Sequence, residues 1–347
     1  MKQLSVFSAG MITSVGLDCP SSCAAIRTGI NDFKETRFID QGGDWIMGAM
    51  VPLDIPWRGR VKLLNFAVSS IRECLTTFEY IPANQIALLL CVAEIDRPGR
   101  LQAIDEDLLD EIQSALGLRF HKESRVINMG RVGGVYAINM ASQLLTYSDI
   151  GYCIIAGVDS LLVAPTLAAL EEIGYLLTSE NSDGVIPGEA AAAVLISSKN
   201  KMNFRSDKRN LSLLGLGTGL EKATVNSDDP LRADGLVTAI NNALRDSSLL
   251  MQDLDFRITD INGKQYYFKE AALAFTRILR VRKEEFDIWH PADCIGEVGA
   301  AIVPCALSYA LTAARKDYLP GKNILFHCGN DSGERAALVM RSEDNRI

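Results

Sequence analysis

Short uncharged apolar runs alternate with longer stretches of helical periodicity along this chain. In its first part, buried strands are predicted at Leu4–Ser8, Gln85–Val92, Arg125–Asn128, Cys153–Gly157 and Ala191–Ser197. Helices are predicted between them at Cys19–Thr28, Val61–Thr77, Ala103–Leu116 and Val132–Leu145. The last carries Val135, Ile138, Ala141, Leu144 and Leu145 at helical spacing. The second part repeats the order, with strands near Leu211–Leu216, Ile258–Ile261, Asp287–Trp289, Ile324–His327 and Ala336–Met340. Its helices are Ala233–Arg245, Lys269–Leu279 and Val298–Ala314. Strand and helix alternating in both parts imply an α/β protein with mixed, mainly parallel sheets covered on both faces.

The two parts also share motifs. Gly130-Arg131-Val132-Gly133-Gly134 and Gly296-Glu297-Val298-Gly299-Ala300 each open a long apolar helix. Each is followed by a strand-like run ending in Gly-x-Asp-Ser, at Gly157 to Ser160 and Gly329 to Ser332. Such internal similarity reads as a tandem duplication. Halves at 1–200 and 201–347 are expected, with the seam near Lys199–Asn210, where apolar periodicity lapses and charge rises. Arg37–Arg60 and Glu94–Arg100 have no counterpart in the second half and read as loops, either ligand or partner surfaces or, for the tryptophan-bearing stretch, a packed cap.

Composition narrows the function classes. Apolar residues make up 48% of the 347 residues and aromatics 7%, which suits stacked helix and sheet layers. A formal charge of −8 and the lack of a long basic stripe argue against nucleic acid. No stretch approaches the roughly 20 uncharged apolar residues of a membrane span, so a cytoplasmic protein is expected. The 8 cysteines are scattered, several inside apolar runs, and read as small buried hydrophobes in a reducing compartment. Cys19 and Cys23 lack a matching Cys/His pair elsewhere. No metal and no cofactor are expected.

Taken together, the duplicated halves and three segments resemble the thiolase superfamily, and within it the β-ketoacyl-acyl carrier protein synthases. Phe7 to Gly16 looks like their opening strand and turn, Asp183-Gly184-Val185-Ile186-Pro187-Gly188-Glu189-Ala190-Ala191 like their Asp-Gly-Phe-x-x-Gly-Glu-Gly-Ala segment, and Phe326 to Asn330 like their closing turn. The resemblance implies a thiolase-like fold layered α-β-α-β-α with two mixed sheets. It also implies dimerisation through the edge strand leading into the elbow, here Ser124–Asn128, as a homodimer or as a heterodimer with a synthase-like subunit. Fatty acid or polyketide biosynthesis and a possible acyl carrier protein partner follow from the same likeness.

The catalytic positions depart from that family. Arg131 aligns with its nucleophilic cysteine, Lys264 with the histidine of Asn-Ala-His-Gly-Thr, Glu297 with the histidine of Gly-His-x-x-Gly-Ala-Ala, and Ala292 with an upstream lysine. A guanidinium is permanently protonated and cannot carry an acyl group. A buried cation at a helix N-terminus needs a counter-ion, so an Arg131–Glu297 pair bridging the halves is predicted, with Lys264 beside it. Tyr266 and Tyr267 should crowd the acyl tunnel. The reading that follows is a degenerate synthase homologue acting as a scaffold or partner subunit, comparable with chain-length factors. Two others stay open. One is an acyltransferase or hydrolase for acyl thioesters, rebuilt on Lys264, Glu297 or the outlying Cys294. The other is a binder of an anionic metabolite through Arg131, Lys264, Tyr266 and Tyr267. Asp159 and Asp331 are expected to cap turns at related points.

Overall fold

A computed structural model describes residues 3–78, 80–198 and 209–343. In chain order these give β1 (Leu4–Ile12), α1 (Cys19–Arg27), β2 (Phe33–Ile39), β3 (Trp45–Ala49), α2 (Gly59–Leu75), β4 (Ile86–Cys91), α3 (Leu108–Leu116), β5 (Arg125–Ile127), α4 (Gly133–Tyr147), β6 (Tyr152–Ser160), α5 (Ala164–Glu172) and β7 (Glu189–Ser198). Then follow β8 (Asn210–Leu220), α6 (Asp234–Ser247), β9 (Phe256–Thr259), α7 (Gln265–Ile278), β10 (Ile288–Trp289), α8 (Ala292–Ile295), α9 (Ile302–Arg315), β11 (Asn323–Gly329) and β12 (Glu334–Glu343). Residues 199–208 of the expected seam lie outside the described residues.

The strand order of the large sheet repeats. The first five large-sheet strands run β5-β4-β6-β7-β1 and the last five run β10-β9-β11-β12-β8. In each set the first three are parallel neighbours and the remaining pairings are antiparallel. The expected two sheets are hydrogen-bonded to each other where Leu4, Ser5 and Val6 of β1 face Leu213, Ser212 and Leu211 of β8. They therefore form one continuous 10-stranded sheet, and the joined strands leave no open edge at the seam.

Period-two alternation sends each strand's side chains to opposite layers. On β4, Ile86, Leu88 and Leu90 pack with α2 and α3, whereas Ala87, Leu89 and Cys91 enter the central core with α4 and α9. On β12, Ala337 and Val339 face α6 and α7, while Ala336, Leu338 and Met340 face that same central core. Helices thus cover both outer faces and fill the middle. Small residues allow α9 close approach: a Cβ at Gly157 of β6 would lie 2.3 Å from the Ala300 carbonyl oxygen, inside van der Waals contact.

The tryptophan-bearing excursion is not simply a loop. Its start completes a two-stranded hairpin, β2–β3, in which Ile39 pairs with Trp45. The weak alternation of FKETRFI, in which Lys34, Glu35 and Arg37 are charged and exposed, hid it. Helix α5 also went unpredicted. It shields a small apolar cluster of Ile46, Leu161, Leu167, Leu170, Tyr175 and Leu176.

Candidate functional site: paired elbows and a charged cleft

Each central helix is entered through a tight turn on a left-handed glycine. Gly130 has φ 52° and Gly299 φ 50°, and each opens a single 3₁₀ turn, Gly130–Val132 and Gly299–Ala301. The preceding residues match as well: Met129 at φ −118°, ψ 20° and Val298 at φ −112°, ψ 15°. The conformational partner of Gly130 is therefore Gly299, which pairs Arg131 with Ala300. The sequence repeat had aligned Gly130 with Gly296, because both precede a charged residue, a valine and a glycine. Gly296 instead ends the short helix α8, and Glu297 lies just before the second elbow.

Glu297 nevertheless reaches across the halves. Arg131 Nη1 donates to Glu297 Oε2 at 3.4 Å, with both side chains 6% exposed. The stronger counter-ion is Asp331, which accepts from Arg131 Nη2 at 2.5 Å. Tyr267 packs its ring 4.9 Å from the guanidinium carbon, accepts from Nη2 at 2.7 Å and donates onward to Asp331. Tyr175 donates to the same Asp331 oxygen at 3.2 Å. Asn262 donates to Glu297 Oε2, and Glu297 Oε1 accepts the Gly299 N–H at 2.9 Å. Asp260 Oδ2 lies 4.0 Å from Arg131 Nε and accepts the Gly329 N–H at 3.0 Å.

These contacts set the protonation states. Burial disfavours the Arg131 charge, but Asp331 and the groups around it hold the guanidinium protonated well above its ordinary range. Burial would likewise raise Asp331, yet Arg131 and the tyrosine hydroxyls keep its carboxyl below the usual value. Asp260 goes the other way: burial pushes it up to about 7 against the pull of Arg131. Tyr175 and Tyr267 are raised by burial and stay neutral.

The related point in the other half is built differently. Asp159 Oδ2 caps the second elbow by accepting the Ala300 N–H at 2.9 Å, and its Oδ1 accepts from Arg97 Nη1 at 2.7 Å. Arg97 in turn grips Glu94 through Nε at 2.9 Å and Nη2 at 2.6 Å. Asp159 thus fits the expected capping role. Asp331 does not: its side chain accepts from Arg131, Tyr267 and Tyr175. Between the two constellations opens a cleft of about 410 Å³, bordered by Glu94, Asp96, Arg97, Arg131, Glu297 and Asp331 and by an apolar wall that includes Leu161, Leu170 and Ile173.

Several expected positions fall elsewhere. Lys264 is not beside Arg131. Its Nζ donates to the carbonyls of Gly174 and Asp183 at 3.1 and 3.0 Å and packs 5.5 Å from the ring of Tyr175, so it fastens the segment carrying that tyrosine. The side chain that enters the cluster from this turn is Asn262. Tyr266 also points away from Arg131; its hydroxyl donates to the Ala223 carbonyl and accepts from Arg335 Nη2 at 3.0 Å. Cys294 is buried against α1, with Sγ 3.9 Å from the Ile26 carbonyl oxygen and its thiol pushed up to about 11 by burial. His327 lies in the core against Phe275, driven down to about 3 by burial, and neither it nor His290 borders the cleft. The contributions of Asp331, Tyr175, Asn262, Glu94 and Arg97 were missed. Three had a signal: Asp331 stands in the repeated Gly-x-Asp-Ser motif, and Glu94 and Arg97 occupy the unmatched excursion after β4.

No family model and no curated protein matches the sequence. Solved structures do match the fold over almost the whole chain. One is described as a type II polyketide synthase acyl-carrier protein in complex with its ketosynthase bound to the hexaketide (AntDE:AntF, apo), at TM-score 0.80 and 14% identity, covering 99% of this chain and 100% of that one. A ketosynthase (ApeO) in complex with its chain length factor (ApeC) from Xenorhabdus doucetiae matches at TM-score 0.74 and 11% identity, covering 99% and 98%. The ishigamide ketosynthase/chain length factor gives 0.71 and 15%, covering 98% and 99%. At such identities the likeness is one of architecture, and on that ground the chain has the thiolase-like fold of the ketosynthases.

Proposed function

We propose that this chain is a non-condensing subunit of ketosynthase fold, acting as a scaffold or partner to a synthase-like protein in the manner of a chain-length factor. The observation that carries the reading is the elbow itself. A condensing elbow needs a thiolate held at a helix N-terminus. Here that position is Arg131, whose guanidinium is bound by Asp331 and Glu297 and stacked on Tyr267. A chain that binds a partner has no need of a nucleophile at that point. Ketosynthases of this fold have been solved with a chain length factor and with an acyl-carrier protein, and both kinds of partner are compatible with this reading, as is a two-fold pair formed through β5 at the sheet edge.

A rebuilt acyltransferase or hydrolase has less support. Of its candidates, Glu297 is occupied by Arg131 and Asn262, Lys264 is engaged by two carbonyls, and the Cys294 thiol is buried and protonated. Turnover assays with acyl- and malonyl-thioesters test the choice. The expected result is no hydrolysis, decarboxylation or condensation above the rate without protein; turnover abolished by Glu297→Gln would establish the enzyme reading instead.

A further inference from the structure

We infer that the cleft between the elbows is a binding site for a small organic cation, an ammonium group on a short apolar body. The proposal goes beyond the scaffold reading and does not depend on it. It follows from an inventory of which hydrogen-bonding capacity facing the cleft is already used.

The charged donors are engaged. Arg131 is taken by Asp331, Glu297 and Tyr267, and Arg97 by Glu94 and Asp159. Tyr175 gives its proton to Asp331. The acceptors are not. Asp331 receives all three of its donors on Oδ1, which leaves Oδ2 unfilled among the described residues, and its side chain is 37% exposed. Asp96 is exposed and makes no ion pair among the described residues. Asn330 is an independent pointer. This residue is only 7% exposed and borders the cleft; its Nδ2 is anchored to the Met129 carbonyl at 3.0 Å, whereas its Oδ1 accepts nothing among the described residues. That oxygen and Glu94 Oε2 flank one point, lying 3.4 and 2.3 Å from where a Cβ on Gly130 would be.

Acceptors that face the cleft without a protein donor are open to the N–H groups of a ligand. Carboxylates also outnumber guanidinium groups around the cleft, since Glu94, Asp96, Glu297 and Asp331 face only Arg97 and Arg131. An anion would meet repulsion here. Among the described residues, no group of three or more metal-ligating side chains converges, which favours an organic cation over a metal ion. Leu161, Leu170 and Ile173 supply a wall for the apolar part of the ligand.

Isothermal titration and ligand-observed NMR of the intact protein at low salt and neutral pH, with n-butylamine, 1,5-diaminopentane and butyrate as probes, test the assignment. The amines should bind saturably and butyrate should not. A charge-assisted hydrogen bond of the usual strength predicts that Asp331→Asn weakens amine binding by about tenfold or more. Because that change also strips Arg131 of a counter-ion, Asp96→Lys serves as the second variant: it alters an exposed, unpaired side chain and should weaken binding by about threefold. Absence of amine binding, equal binding of butyrate, or affinity unchanged by Asp96→Lys would overturn the proposal.

Discussion

Arg131 owes its stability to neighbours drawn from distant parts of the chain. Its side chain is buried at the start of α4, where the helix dipole opposes a cation, and Asp331, Glu297 and Asp260 offset that cost. Removing one partner of such a cluster is worse than never having built it, because the remaining charges stay buried. Arg131→Met should therefore lower unfolding free energy by about 3–5 kcal/mol in urea denaturation, and adding Asp331→Asn should restore part of the loss; additive losses would mean that the two side chains do not depend on each other. The carboxyls make a second prediction, about pH. Asp260, raised by burial to about 7, takes up protons on folding, so its contribution is present at acid pH and is lost as pH rises from about 4 through about 7. Asp331, held low despite burial by Arg131, contributes above the unfolded carboxylate value and loses that contribution as pH falls below it. Replacing Asp260 by Asn should flatten the decline in stability between about pH 4 and 7, and an unaltered profile would count against a protonated Asp260 in the folded protein.

The elbows do this positioning through glycine and close packing. Gly130 adopts a left-handed conformation, and a Cβ there would meet Glu94 Oε2 at 2.3 Å; at Gly157, with ordinary backbone, the obstacle is the Ala300 carbonyl. Gly157→Ala should destabilise the fold by about 1–3 kcal/mol, read as a lower denaturation midpoint; a neutral effect would mean that α9 can withdraw from the sheet freely. What was legible at this scale follows the strength of the periodic signal. The uncharged strands and the amphipathic helices were found, whereas hairpin β2–β3, whose first strand carries the charged Lys34, Glu35 and Arg37, and the short helix α5 were not. The Arg131–Glu297 contact was legible because burial penalises unpaired charge wherever the chain places it. The repeat register was not legible, since Gly296 and Gly299 look alike in sequence and only backbone dihedrals separate the helix end from the elbow. Lys264 was misplaced for a related reason: matching one motif position says nothing about side-chain direction, and beside Gly263, at φ 110°, it is Asn262 that reaches Glu297.

For the whole molecule, the mirrored strand order and the β1–β8 junction give a single sheet whose outer ends are β5 and β10. An open strand end is a pairing surface, and in the proposed assembly β5 pairs across a two-fold axis. Val126→Pro, at the centre of β5, should shift the protein to monomer in sedimentation velocity while leaving its helical circular dichroism intact; an unchanged sedimentation coefficient would exclude β5 as the contact. The closed elbow is the feature on which the proposed scaffold role depends. The most direct measurement is intact-protein mass spectrometry after incubation with acyl- and malonyl-thioesters, followed by peptide mapping. The predicted result is an unmodified mass, because in the proposed reading Arg131 stands in the nucleophile's place, and because the Cys294 thiol is buried. A stoichiometric acyl adduct, on Cys294, Lys264 or any other side chain, would contradict it.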